Sequence, residues 1–312
     1  MAPHSDIAAA AQALREGQLV AFPTETVYGL GADATNDEAV ARVYAAKGRP
    51  SFNPLITHVP GVEEAFALGH FTQEAKALAR AFWPGPLSLV VPRAASCPVS
   101  LLASAGNDSI AIRIPSHPMA LDLLKATGRP VVAPSANPSG KISPTTAEHV
   151  RRHLKDKVAM VLDGGRCKVG VESSVVSFLA DGPKLLRQGG VPRTEIEKVL
   201  GHAIAVESYS ARPHAPGQLL SHYAPHAELR LNADTPREGE AYLGFGPLHA
   251  HGPWTLSARG DLVEAAASLF RLLHEIDATG VTRIAVAPVP HHGLGEAIND
   301  RLLRAAAPRD SA

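Results

Sequence analysis

Basic and amide side chains stand at a spacing that could bind a polyphosphate in the stretch AAKGRPSFNPLITH. Lys47 and Arg49 are two residues apart at the end of a predicted helix, and Asn53 follows in the next loop. An arginine offers a planar fork of donors and a lysine a mobile point charge, which together suit a chain of phosphates. Basic residues in a last helical turn are also common partners of the helix dipole, so the spacing alone leaves both interpretations open.

A second polar stretch, APSANPSGKISPTTAEHV, follows a predicted strand and leads into a predicted helix. Ser135 and Asn137 come directly after the strand, and Ser143 and Thr145 precede the helix. The free backbone amides at a helix amino terminus form a ready anion site. Taken alone, the stretch fits a loop with an ordinary N-cap better than a binding site.

Further polar groups occur where strands end. The motif PTETVYGLG, residues 23–31, follows a predicted strand and supplies hydroxyls, including that of Thr26, and one carboxylate. Loops after strands are where α/β proteins place their sites. Arg113 lies inside the apolar run SIAIRIP, where a charge without a partner would be costly, so it belongs to a core ion pair or an anion site. Ser173 and Arg187 stand in GVESSVVSF and KLLRQGG.

The elements that must position these residues alternate between short apolar runs and helical patterns from Asp6 to about Leu200. Strands are predicted for QLVAFPT, PLITHV, PLSLVVP, SIAIRIP, PVVAPSAN, VAMVLDGG, ESSVVSF and PKLLRQGG. Helices are predicted for NDEAVARVYAAKG, TQEAKALARAFWPG, HPMALDLLKATG and SPTTAEHVRRHLKD, the last capped by Ser143 or Thr145. This alternation predicts an α/β domain with a twisted, mixed sheet and flanking helices.

The length of 312 residues indicates two domains, since one domain averages about 150 residues. Residues 208–226 are rich in Pro, Ser and His without a clear period, which predicts a linker between a catalytic domain at 1–207 and a second domain at 227–312. Strand and helix patterns after the linker predict a smaller, Rossmann-like α/β domain.

Composition narrows the class of protein. The chain is 45% hydrophobic and 19% charged with a formal net charge of zero, which indicates a globular protein and, weakly, a small-molecule substrate. Cys97 and Cys167 lack metal-ligand spacing and are expected to be reduced thiols. The fifteen histidines also lack such spacing, and we expect them on the surface or in loops, with no protein metal site. No apolar run reaches the ~18 residues of a membrane span, and no secretory signal is recognisable, so we expect a cytoplasmic protein.

Taken in order, these stretches resemble the YrdC-like domain of the threonylcarbamoyl-AMP synthase family. The family pattern pairs KxR with a distant SxN, which here are Lys47-Gly48-Arg49 and Ser135-Ala136-Asn137. PTETVYGLG, NPLITH, the Arg113 strand, ESSVV and LLRQGG fall in the family's order, and APGQLLSHYAP is similar to the segment before the C-terminal domain of the long form. The resemblance covers roughly Ile7 to Pro225, and the remainder only by position.

The resemblance implies an enzyme that joins L-threonine, bicarbonate and ATP into threonylcarbamoyl-AMP and pyrophosphate, with Mg²⁺ carried by ATP. Partner proteins then pass the group to tRNA. By resemblance, Lys47 and Arg49 would be catalytic and the nucleotide would be bound by Lys47, Arg49, Asn53, Ser109, Ser135, Asn137, Thr145, Arg187 and Tyr223. Threonine would be bound by Thr26, His58, Arg113 and Ser173.

Two other functions fit parts of the same pattern. YrdC-like domains are also associated with double-stranded RNA, although the neutral charge speaks against a pure RNA-binding module. A related carbamoyl-adenylate enzyme that uses carbamoyl phosphate would carry additional zinc-finger and acylphosphatase-like domains, for which this chain has neither the cysteines nor the length.

Overall fold

A computed structural model of the chain describes residues 4–207 and 222–308, which build two α/β units. The first unit contains ten strands: β1 (Val20–Phe22), β2 (Gly29–Asp33), β3 (Ile56–His58), β4 (Leu87–Pro92), β5 (Ser109–Arg113), β6 (Val131–Val132), β7 (Met160–Val161), β8 (Ser174–Leu179), β9 (Gly182–Arg187) and β10 (Ala205–Val206). Its helices are α1 (His4–Arg15), α2 (Asp37–Lys47), α3 (Val62–Leu68), α4 (Gln73–Phe82), α5 (Pro118–Thr127), α6 (Ala147–Leu154) and α7 (Arg193–Leu200).

The strands of the first unit form one mixed sheet in the order β10-β9-β8-β4-β5-β3-β6-β2-β1-β7. Parallel pairs such as β3 with β5 and β4 with β8 alternate with antiparallel pairs such as β4 with β5. The residues of β1, β2, β4 and β5 are buried almost throughout, which explains their near-continuous apolar runs. The predicted α/β domain with a twisted mixed sheet is therefore confirmed.

The second unit is a parallel three-stranded sheet in the order β11-β13-β12, with two helices. Its elements are β11 (Glu228–Arg230), β12 (Ala241–Leu243), α8 (Leu262–Asp277), β13 (Arg283–Val286) and α9 (Leu294–Ala306). It has its own core, in which Leu269, Phe270 and Ile284 are fully buried. The predicted linker 208–226 falls mostly outside the described residues, which resume at His222.

Several local predictions differ from the structure. The N-cap of α6 is Thr146, whose hydroxyl accepts from the amide of His149, and not Ser143 or Thr145. Both of those side chains are instead fully buried in the loop before the helix. The short helices α3 and α7 were not predicted, because seven or eight residues carry too little helical periodicity.

The expectation that the histidines lie on the surface or in loops is wrong for a group at the contact between the two units. His149 in α6 and His274 in α8 are both buried, and their ring centroids lie 3.9 Å apart. His153, one turn further along α6, lies 5.1 Å from the ring of His274. Nε2 of His274 also contacts the carbonyl oxygen of Ser143 at 3.2 Å.

The state of the two cysteines agrees with the expectation from the sequence. Cys97 and Cys167 are both buried free thiols. Across residues 4–207 and 222–308, no helix has the length and apolar character needed to span a membrane.

Candidate active site

A cavity opens where β3, β5 and β9 end, β8 begins, and the loops after β1 and β6 converge. It is lined by Thr26, Val27, Arg49, Ile56, His58, Arg113, Ala133, Pro134, Ser135, Glu172, Ser173, Arg187, His222 and Tyr223. The strand register explains the convergence, since His58 pairs with Arg113 across β3 and β5, and Leu87 pairs with Ser174 across β4 and β8. Strand ends and their loops are the usual location of α/β sites.

The end of α2 directs two basic side chains towards this cavity. Gly48 ends the helix in the left-handed conformation at φ 59°, where its amide donates to the carbonyl oxygens of Ala45 and Tyr44. Lys47 is buried, and its Nζ donates to the carbonyl oxygens of Ser135 and Asn137. The structure thus brings the KxR and SxN motifs into direct contact. Lys47 is therefore more than an exposed partner of the helix dipole.

Burial lowers the pKa of both basic groups. For Lys47 the pKa falls well below its ordinary value, because the ammonium is removed from water and lies close to Arg49. Burial lowers the pKa of Arg49 to about 10, so its guanidinium remains charged at neutral pH. An anionic ligand beside the two groups would stabilise their charged forms.

Arg49 also determines the position of Asn53. Its Nη2 donates to Oδ1 of Asn53 at 2.6 Å and to the carbonyl oxygen of Pro54 at 2.9 Å, and its Nε donates to the carbonyl oxygen of Asn53 at 3.0 Å. These contacts close the loop between α2 and β3 around the guanidinium. They hold Asn53 beside the cavity wall to which Arg49 belongs.

Arg113 takes one of the two roles left open by its place in an apolar strand, that of a buried ion pair. Its Nη2 donates to Oε1 of Glu25 at 2.6 Å, and both side chains are buried. Oε2 of Glu25 accepts from the amide of Ser116 at 3.0 Å. Arg113 therefore belongs to a buried ion pair and also lines the cavity.

A short polar chain runs from Ser88 to Arg187 along the cavity wall. The hydroxyls of Ser88 and Ser173 are 2.8 Å apart. Nη2 of Arg187 donates to Oγ of Ser173 at 3.0 Å, and its Nε donates to the carbonyl oxygen of Ser173 at the same distance. Thr26 contributes a further buried hydroxyl, 2.7 Å from that of Thr24.

His58 lies in the cavity as a neutral ring. Burial, with the positive charge of Arg113 nearby, lowers the pKa of His58 to about 3. Its Nδ1 lies 3.2 Å from the carbonyl oxygen of Ile56. At neutral pH this imidazole can therefore form hydrogen bonds with a ligand without adding a positive charge to the cavity.

Positive charge dominates around the cavity. Arg49, Arg113 and Arg187 line the cavity with one carboxylate, that of Glu172. Glu25 lies behind them as the partner of Arg113. Basic groups concentrated in a low-dielectric cleft attract anions. The arrangement suits a ligand that carries several negative charges.

Two buried polar atoms, an amide oxygen that accepts and a hydroxyl that can donate or accept, are left for a ligand to satisfy. Oδ1 of Asn137 and Oγ1 of Thr145 have no hydrogen-bond partner among the described residues. A buried polar atom without a partner costs free energy, so these atoms indicate a place where a ligand completes the hydrogen bonding.

Comparison with known proteins identifies the family. Residues 12–189 match a family model described as "Telomere recombination", which covers Sua5, YciO and YrdC proteins, and residues 191–307 match "Threonylcarbamoyl-AMP synthase, C-terminal domain". Threonylcarbamoyl-AMP synthase of Pyrococcus abyssi is 42% identical, with 95% of this chain and 92% of that protein covered. The protein of the same name from Bacillus subtilis is 41% identical, with 97% and 93% covered.

The chain belongs to the threonylcarbamoyl-AMP synthase family. The fold agrees, because the crystal structure of P. abyssi Sua5 complexed with L-threonine superposes with a TM-score of 0.89 at 40% identity, covering 97% of this chain and 95% of that one. The resemblance seen in KxR, SxN and the ordered motifs is thereby confirmed.

Most of the residues predicted by family resemblance meet at the cavity of this synthase. The lining includes Arg49, Ser135, Arg187, Tyr223, Thr26, His58, Arg113 and Ser173. Lys47, Asn53 and Asn137 lie directly behind the lining through the contacts described above. Thr145 is fully buried in the loop that follows Ser143, whose hydroxyl donates to Glu172.

Ser109 is the predicted site residue that the structure does not bring to this cavity. It begins β5, whereas Arg113 ends that strand, and a rise of ~3.3 Å per residue separates the two by about 13 Å. Ser109 instead borders a separate surface cavity with Asn107 and Leu179. A serine placed by motif order alone can lie at either end of its strand.

Motif reasoning also left out two carboxylates of the site. Glu25 and Glu172 lie within the motifs PTETVYGLG and GVESSVVSF, yet neither was assigned a role. Both are buried against arginines, at 2.6 Å from Arg113 and 2.9 Å from Arg301. In each motif the available signal was a single glutamate beside hydroxyl residues. The arginine partners lie 88 positions from Glu25 and 129 positions from Glu172, so the motifs alone did not show the pairing.

A metal cage built from protein side chains does not occur in the described ranges, where no group of three or more His, Cys, Asp or Glu residues is placed to hold an ion. The carboxylates nearest the cavity, Glu25 and Glu172, are already paired with arginines.

Proposed function

We propose that the cavity makes threonylcarbamoyl-AMP from L-threonine, bicarbonate and ATP, the product after which the family is named. The observation that carries the proposal is the meeting of the KxR and SxN motifs with Arg113 around one anion-attracting cavity. The three groups are far apart in sequence, and neither a core nor a cap requires them together.

Threonine is proposed to bind at the Arg113 side of the cavity. A guanidinium suits the amino acid's carboxylate, and the hydroxyls of Thr26 and Ser173 and the neutral ring of His58 can hydrogen-bond its polar groups. The structure of the P. abyssi relative complexed with L-threonine supports threonine as the ligand.

ATP is proposed to bind where α2 meets the SxN loop. Lys47 and Arg49 would stabilise the phosphates. The nucleotide site would be completed by Asn53, Ser135, Asn137, Thr145, Arg187 and Tyr223. Mg²⁺, which prefers phosphate and water oxygens, would arrive with ATP and reduce the charge of the phosphates.

The proposed chemistry proceeds without a side-chain nucleophile. The threonine amine takes up bicarbonate carbon with loss of water, and the resulting carbamate oxygen attacks the α-phosphorus as pyrophosphate leaves. Residues of the cavity contribute by orienting the reactants and stabilising developing charge on the phosphates. Arg113 holds the carboxylate away from the phosphates, which leaves the carbamate as the attacking group.

The proposed product is a reactive intermediate and not an end product, since an acyl adenylate is an activated group donor. We therefore propose that partner proteins pass the threonylcarbamoyl group to tRNA in the cytoplasm.

Pyrophosphate release by the purified protein tests the proposal. We expect release that requires ATP, L-threonine and bicarbonate together, with serine a poorer substitute, and threonylcarbamoyl-AMP as the accompanying product. A folded protein that releases no pyrophosphate in any mixture but binds double-stranded RNA in a salt-dependent manner would instead favour the RNA-binding alternative.

A further inference from the structure

Arg301 extends from α9 of the C-terminal unit to the wall of the catalytic cavity. Its side chain is fully buried, and its Nε donates to Oε2 of Glu172 at 2.9 Å. Nη1 donates to the carbonyl oxygen of Gln188 at 2.8 Å and to Oδ2 of Asp300 at 2.6 Å. The ring of Tyr223 lies over the guanidinium, with its centroid 5.1 Å from Cζ. Four different segments therefore meet at this one arginine.

Glu172 connects Arg301 to the substrate side. Its carboxylate lines the cavity, and its Oε1 accepts from the hydroxyl of Ser143. Burial by itself would raise the pKa of Glu172, but Arg301 and Arg187 outweigh this effect and hold the pKa below its ordinary value. The carboxylate therefore remains charged and fixed between Ser143 and the guanidinium, directly beside Ser173.

The second contact of Arg301 acts on the neighbouring segment. Gln188 follows Arg187, so the hydrogen bond to its carbonyl oxygen holds the chain next to that guanidinium. Backbone packing joins the two segments tightly, because a Cβ at Gly189 would come within 2.4 Å of backbone atoms of Glu172 and Ser173. Arg301 thus holds together the two chain segments that present Ser173 and Arg187 to the cavity.

We propose that Arg301 is a positioning residue of the synthase, through which the C-terminal unit sets the geometry of Ser173 and Arg187. This inference rests on the proposed function. It makes the C-terminal unit a structural part of the active site, although Arg301 itself need not touch either substrate.

The geometry distinguishes this role from general stabilisation. Without Arg301, Glu172 becomes a buried carboxylate that has lost its closest positive partner, and such a charge is strongly unfavourable. Glu172 then takes up a proton at higher pH. The groups that still face it are Ser143, Lys47, Arg187, His222 and Tyr223. Loss of activity should therefore depend on pH in a way that an unrelated loss of stability would not.

The test compares Arg301→Met with Arg230→Met in the full chain. Arg230 pairs with Glu240 and also bonds Thr235, all within the C-terminal unit, so its variant removes a more exposed arginine–glutamate pair away from the cavity. Pyrophosphate release is measured at varied threonine and ATP from pH 6 to pH 8.5, with thermal melting as a check of folding. A third variant, Glu172→Gln with Arg301→Met, removes both charges.

We expect Arg301→Met to lower kcat/KM for threonine by about 100-fold, the size of effect that small misplacement of reacting groups produces. Its activity should fall towards pH 6 more steeply than that of the wild type. The double variant should lose this additional pH dependence yet remain slow, because Ser173 and Arg187 are still not held. Arg230→Met should match the wild type.

If Arg301→Met does not fold, Arg301→Lys serves in its place, since it keeps the charge but cannot bond Glu172 and Gln188 together in a planar fork. A folded Arg301 variant with the kinetic constants and pH profile of Arg230→Met would overturn the inference. Absence of threonine-dependent release from the wild type itself would overturn the proposed function instead.

Discussion

Lys47 is held in the loop of Ser135 and Asn137 by two carbonyl oxygens, in a buried setting that weakens its hold on a proton. A compact ammonium with three donors suits this slot. Two of these donors bond the carbonyl oxygens, and the third can point towards a phosphate. The same geometry is closed to a longer, planar guanidinium.

Replacement of Lys47 is therefore expected to reduce turnover. We expect Lys47→Ala to lower kcat for pyrophosphate release by about 100-fold or more, the usual effect of removing one donor that stabilises developing charge. Lys47→Arg should not restore it. Lys157→Ala is the matched control, because that exposed lysine also donates to a carbonyl at the end of α2, from Ala46. Equal rates for Lys47→Ala and Lys157→Ala would contradict the assignment.

Arg113 should affect threonine binding more than turnover. We expect Arg113→Ala to raise KM for threonine by about 10- to 100-fold, as the loss of a charged hydrogen bond implies, with a smaller change for ATP. Since Glu25 would be left without its partner, Glu25→Gln with Arg113→Ala is measured beside it. The double variant should recover thermal stability but not threonine affinity. A rise confined to KM for ATP would refute the proposed placement of the carboxylate.

Among the elements, the segment after β9 approaches the start of β8 too closely for a side chain to fit between them. Gly189 lies against the backbone of residues 172–174, where no side chain fits. The contact brings Arg187 within hydrogen-bonding distance of Ser173. The positions of Arg187 and Ser173 thus depend on Gly189, which has no Cβ.

We expect Gly189→Ala to lower both stability and activity, because backbone atoms cannot move aside as a flexible side chain can. Gly182→Ala at the turn between β8 and β9 is the control, since its Cβ meets nothing within 4 Å although its φ of 89° still strains alanine. Thermal melting measures the stability of both variants, and pyrophosphate release measures their activity. Activity equal in the two variants would show that the approach can relax.

Element predictions succeeded where apolar spacing was long and failed where it was short. The helix that ends at Lys47 follows from the local pattern, and the structure confirms it, with Asn36 as the N-cap. Ser143 and Thr145 had the right residue types for a cap, but contacts from Glu172 and His149 draw them into the protein interior. Tertiary partners, absent from any local window, decided between cap and core.

At the scale of the whole molecule, the two units meet through histidines that are held neutral. Burial, with nearby Arg152 and His153, lowers the pKa of His149 to about 4. Burial, with His149 close by, lowers the pKa of His274 to about 2. If both imidazole rings were protonated, two like charges would lie about 3.9 Å apart, the distance between the ring centroids.

Stability should consequently fall in mild acid. Below about pH 6.5 the unfolded chain protonates these histidines while the folded protein does not, so the free energy of unfolding decreases by about 1.4 kcal/mol per pH unit for each residue excluded from protonation. Urea unfolding between pH 7.5 and pH 5 measures this slope. We expect His274→Gln to reduce the slope by roughly one such increment, and an unchanged slope would contradict the burial argument.

Periodicity and residue type are local properties, so they were enough to predict the α/β class, the two-unit organisation and the ordered motifs KxR, SxN, ESSVV and LLRQGG. Which side chains meet became visible only in the folded chain. It paired Glu25 with Arg113 and Glu172 with Arg301, and it placed Ser109 away from the cavity. The physical reason is that buried charges are tolerated only beside partners, and those partners come from strands and helices distant in the chain.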